Sequence, residues 1–92
     1  MSFSDRVSVP PHVLVQELAG ESVILDLNSE QYFGLDDVGT RMWKAVTTGA
    51  SIQAGFEVLL ADYDVDPEQL RRDLRALVEQ LVGHGLLELH SC

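Results

Sequence analysis

The sequence predicts an α+β fold, winged helix-turn-helix-like, with a three-stranded antiparallel sheet followed by three helices. Three observations predict it. The apolar period changes once, near residue 36, from short strand-like segments to helical stripes. Turn residues punctuate the chain where that reading needs them: Ala19-Gly20, Asn28-Ser29, Gly49 and Asp66-Pro67. The length, 92 residues, suits one core and is too short for two, so residues 1–92 are read as a single domain.

Val13–Leu18 is the first expected strand, closed by a turn at Ala19-Gly20-Glu21. Ser22–Leu27 is the second, with Val23, Leu25 and Leu27 sharing a face. Asn28-Ser29 reads as a two-residue loop in which Asn takes the positive φ, giving a tight hairpin. Glu30–Leu35 is the third strand, with Phe33 and Leu35 on one face and Tyr32 on the other. Asp36-Asp37 suits the cap and first turn of a helix carrying Val38, Met42 and Val46 at i+4 spacing, with Trp43 and Ala45 beside them; Gly49 stops it. Ser51 caps a second helix with Ile52, Phe56, Leu59, Leu60 and Tyr63. Asp66-Pro67 opens the third, with Pro at the first helical position and Gln69 where a capping box places Glu or Gln. Leu70, Leu74, Leu77 and Leu81 form its apolar stripe, Gly83-His84-Gly85 ends it, and Leu86–Leu89 reads as a short final strand.

Composition narrows the function. Fifteen acidic against six basic residues give a formal net charge of −9, which opposes phosphate backbones and anionic lipid, so neither nucleic acid nor membrane is the expected partner. The single cysteine, Cys92, excludes an internal disulfide and fits a reducing, cytoplasmic setting. No apolar run approaches a membrane span and Met1–Arg6 has no signal-peptide pattern. No nucleophile elbow, C-x-x-C or H-E-x-x-H occurs, so an enzyme is not expected, nor a cofactor. Asp62, Asp64, Asp66 and Asp73 fall at positions 1, 3, 5 and 12 of a calcium-loop pattern, but Pro67 stands where that loop needs glycine, and helix capping accounts for them. His84, His90 and Cys92 lack zinc-ligand spacing.

Two features point to a binding surface. Arg71 and Arg75 lie one helical turn apart on one flank of the leucine stripe, shared with Val78 and Val82. Three readings of that flank stand: a solvated ion-paired face, a peptide contact, or a DNA-reading helix, the last opposed by the charge. A three-stranded meander also has two open edges. Pro10-Pro11 precedes the first strand, whereas the third has no proline and contains Gly34, where another backbone can approach. A visiting peptide could pair there and drop alternate side chains into a groove against the third helix. For Tyr32 and Phe33 the competing reading is core packing.

The stretch Leu25-Asp26-Leu27-Asn28-Ser29-Glu30-Gln31-Tyr32-Phe33-Gly34-Leu35-Asp36-Asp37-Val38-Gly39-Thr40-Arg41-Met42-Trp43, with Tyr63-Asp64-Val65-Asp66-Pro67 and Gly85-Leu86-Leu87, resembles the PqqD-like family of precursor-peptide recognition elements, most of all the B1 proteins of lasso peptide pathways. The resemblance implies a non-catalytic chaperone that holds the leader of a precursor peptide as an extra strand. It also implies delivery to a cysteine leader peptidase and an ATP-dependent cyclase. The expected contacts are the backbone of Glu30, Gln31, Tyr32, Phe33, Gly34 and Leu35, apolar pockets at Tyr32, Leu74 and Val78, and Arg71 and Arg75 meeting acidic leader residues. The rival expectations are a small DNA-binding regulator and a module that dimerises through its own strand edges.

Overall fold

A computed structural model describes residues 1–91; Cys92, weighed above as a metal ligand, lies outside the described residues. The order is β1 (Arg6–Ser8), β2 (Val13–Leu18), β3 (Glu21–Asp26), β4 (Gln31–Leu35), α1 (Asp37–Thr48), α2 (Ile52–Asp62), α3 (Pro67–Gly83) and β5 (Glu88–His90). The three-stranded antiparallel sheet runs β2-β3-β4, and three helices follow it, as the sequence predicts. The expected final strand is present at Glu88–His90 rather than Leu86–Leu89, and it pairs in antiparallel register with β1, a strand not anticipated, Val7 opposite Leu89. The three residues of β1 carry too short a pattern to be read alone. This pair joins the two ends of the chain, and Ser8 Oγ lies 2.7 Å from His90 Nε2.

The caps follow the sequence. The Asp36 carboxylate accepts from the Gly39 N–H, Ser51 Oγ from Ala54, and Asp66 from Glu68, satisfying N–H groups that a helix start leaves free. Gln69 does not complete a capping box; its amide donates forward to Asp73 at 2.9 Å. The end of α3 is a Schellman turn: Leu86 N–H reaches the Leu81 carbonyl, Gly85 N–H reaches Val82, and Gly85 sits at φ +74°. That turn sends Leu86 and Leu87 back into the core and leaves His84 at the surface.

Four expectations are corrected. On β3 the buried face is Ser22 and Ile24, not Val23, Leu25 and Leu27. Alternation favours the other face, since Val23 and Leu25 are apolar whereas Ile24 is flanked by Ser22 and Asp26. The choice is made by Ser22, whose hydroxyl shares a buried 2.7 Å hydrogen bond with Thr40 of α1. On α1, Thr40 takes the inward place beside Met42, Trp43 and Val46, and Val38 is exposed. The β3–β4 loop has four residues, 27–30, and the left-handed conformation falls on Glu30 (φ +59°), not Asn28. Asp26 sets that loop: its Oδ1 accepts from the Asn28 N–H at 2.9 Å and its carbonyl from the Glu30 N–H at 2.8 Å. On α3, Val78 is fully buried and Leu77 only partly, so the stripe is rotated toward Val78.

Helices α1 and α2 cross closely at Gly55. A Cβ there would stand 2.8 Å from the Ala45 carbonyl oxygen and 3.1 Å from the Val46 nitrogen, both backbone. In an open helix, Gly→Ala gains about 1 kcal/mol. Here the contact with immovable backbone reverses the sign, and we expect Gly55→Ala to cost about 1–3 kcal/mol. Thermal unfolding would show a lowered midpoint; a raised one would mean the helices do not touch there.

Candidate peptide-binding edge

Among the described residues β4 pairs only with β3, through Ile24 opposite Phe33 and Leu25 opposite Tyr32, which leaves its other edge without a strand. Along that edge the backbone of Gln31–Leu35 can take one more strand. Successive side chains divide between two faces. Phe33 and Leu35 point inward toward the helical layer; Leu35 is buried and Phe33 is half-buried against the core. Tyr32 points to the opposite face and is 76% exposed. Beside it on that face stand Leu14, Val23 and Leu25, so the outer surface of the sheet is an apolar patch.

On the inner side a cavity of about 330 Å³ adjoins the turn end of β4, lined by Asp26, Ser29, Glu30, Gln31, Tyr32, Phe33, His84 and Leu86. The Phe33 and His84 rings meet at 5.6 Å between centroids, tilted by 50°. The cavity therefore lies between β4 and the C-terminal end of α3. The Asp26 carboxyl is held below the usual carboxylate range, chiefly by the N–H of Asn28, with Ser29 and the nearby His12 adding to it; the ionised form is the one the turn binds.

Helix α3 meets this cavity through its C-cap residue His84. At 100° per residue, His84 continues the line of Asp73, Leu77 and Gln80, while Arg71, Arg75 and Val82 form another stripe about 170° away. The arginine stripe faces the N-terminal segment. The Arg71 guanidinium lies over Phe3 at 4.8 Å and over Phe56 at 4.6 Å, and Arg75 lies over Phe3 at 5.4 Å and reaches the Met1 carbonyl at 3.4 Å. These are cation–π contacts that fasten the N-terminus to α2 and α3. Leu74 and Val78 have no exposed surface, so they are core rather than pocket walls. Of the expected contacts, the structure brings together Glu30, Gln31, Tyr32 and Phe33 at the cavity, continues the edge through Gly34 and Leu35, buries Leu74 and Val78 in the core, and stacks Arg71 and Arg75 on Phe3. His84, Leu86 and Asp26 line the cavity without having been singled out. A helical wheel locates the buried stripe of α3 but not which of its two shoulders meets the sheet.

The family model for coenzyme PQQ synthesis protein D (PqqD) matches residues 21–87. Two solved structures are similar. One is TbiB1 in complex with the TbiA(beta) leader peptide, 33% identical, covering 88% of this chain and 94% of that one at a TM-score of 0.81. The other is a lasso peptide synthetase B1 complexed with the leader peptide, 26% identical, covering 92% and 98% at a TM-score of 0.77. No curated protein matches the chain. With a match running from β3 through α3 to the buried Leu86-Leu87 pair, this chain belongs to the PqqD family.

Proposed function

We infer that this protein captures the leader of a precursor peptide of the lasso type by adding it as a strand to the free edge of β4. The observation that carries the reading is that edge, unpaired along Gln31–Leu35 and bordered by a cavity against α3. The similarity to two B1 proteins solved in complex with leader peptides supports it. Main-chain hydrogen bonds to β4 supply affinity, and the Phe33 and Tyr32 faces read alternate leader side chains. The chain performs no chemistry itself. It hands the leader to a cysteine leader peptidase and an ATP-dependent cyclase, and tethering raises the effective concentration of the core peptide at those enzymes. The exposed apolar patch of Leu14, Val23, Leu25 and Tyr32 is the surface on which such an enzyme would meet the loaded sheet.

The test is a titration of the ¹⁵N-labelled chain with the leader of a precursor peptide encoded beside it. Amide shifts are expected to concentrate on Gln31–Leu35, His84 and Leu86. Shifts centred on β2 or on the exposed face of α3, or none at saturating peptide, would overturn the assignment. A chain with −9 net charge and two of its arginines stacked on aromatic rings gives DNA little to hold.

A further inference from the structure

The cavity at the turn end of β4 joins an apolar wall to an acidic rim. Phe33 and the buried Leu86 form the wall, with the His84 ring beside Phe33. Asp26 and Glu30 stand on the rim. None of the six Lys and Arg side chains lines it. Arg71 and Arg75 are stacked on Phe3, while Arg41 pairs with Asp62 at 3.8 Å and Lys44 with Glu17 at 2.6 Å. Among the described residues, no ion pair involves Glu30.

A strand laid along β4 sends every second side chain toward the helical layer, and one placed opposite Gln31–Phe33 enters this cavity. A long basic side chain matches both parts of it. Its aliphatic stem covers the Phe33 and Leu86 surface while its charged head reaches the carboxylates, with the Phe33 ring available for a cation–π contact. An acidic side chain in the same place would meet the carboxylates of Asp26 and Glu30, with no Lys or Arg and only the His84 and His12 rings nearby.

We propose that this cavity is a subsite for one basic side chain, arginine or lysine, of the captured peptide. The proposal rests on the β4-edge reading and names the residue class that the edge selects. It also reverses the electrostatic expectation drawn from Arg71 and Arg75, which pointed to acidic leader residues.

Glu30 offers a clean test because its backbone is left-handed, a conformation asparagine accepts readily. Glu30→Asn removes the charge and keeps the turn; Glu30→Lys reverses it. The probe is a phage-displayed library of random dodecapeptides selected on the wild-type chain and on each variant. The wild type is expected to enrich peptides with Arg or Lys at one fixed position. Glu30→Asn should weaken a synthetic copy of the best of these peptides about two- to fivefold, the range of an exposed ion pair. Glu30→Lys should remove the basic preference from its own selected set. Peptides that bind along Gln31–Leu35 with no fixed basic position, or a preference unchanged in Glu30→Lys, would overturn the subsite and leave the edge reading standing. Selected peptides whose amide shifts fall away from β4 would overturn the edge reading and the subsite with it.

Discussion

Val78→Asp will strongly destabilise this chain, and Tyr32→Ala will not. Val78 has no exposed surface and lies on α3 between Leu74 and Leu81, both equally buried. A carboxyl placed there loses the packing of the valine and has no described partner for its charge or its protonated form. The cost is about 4 kcal/mol or more. A 92-residue domain has a total stability of about 5–13 kcal/mol. The midpoint should fall by about 15–30 °C, or the cooperative transition should vanish from a circular dichroism melt. Tyr32, 76% exposed on the outer face, should change stability by less than about 0.5 kcal/mol on truncation. Its effect belongs to binding: an added strand places a side chain beside it, and losing that cross-strand contact should weaken leader affinity up to about fivefold. A Val78→Asp chain that melts normally but no longer binds peptide would mean Val78 faces the ligand after all.

The second large effect lies at the other flank of α3. Phe3 is buried, meets Phe56 edge-on at 5.8 Å, and receives both Arg71 and Arg75 on its ring. The same segment feeds α2, since Ile52 N–H bonds the Asp5 carbonyl at 2.8 Å and Gln53 N–H bonds that of Phe3 at 2.7 Å. Phe3→Ala should therefore cost about 3 kcal/mol, taken from the low end of the range because the residue sits near a chain end. The midpoint should drop by about 12–24 °C. Leader affinity measured well below that midpoint should be unchanged, because Phe3 is on the shoulder of α3 turned away from β4. A selective loss of affinity with stability intact would place the ligand against the N-terminal segment instead.

Part of this could be read from the residues in order. Local signals are short-range chemistry: Asp36, Ser51 and Asp66 each bond an N–H within three residues, so their caps are written in the sequence. Pro67 and Gly85 likewise mark the start and end of α3 through their own backbone preferences. The free edge of the strand after Asn28-Ser29 also follows from order alone, because a three-stranded meander leaves its last strand with one neighbour.

The faces could not be read that way. An alternation rule favours Val23 and Leu25, yet Ile24 enters the core beside Ser22, whose polar group is satisfied by Thr40, 18 residues away. The same holds for α3, whose leucine stripe has two shoulders of similar character. The arginines went to the N-terminal aromatics, and His84 went to Phe33. Periodicity locates an apolar face relative to its own helix axis, but the rotation of that axis against its neighbours is set by contacts between residues far apart in the chain. The class of fold and the strand with the open edge were therefore determined by local pattern, while the composition of the groove beside that edge was determined by packing.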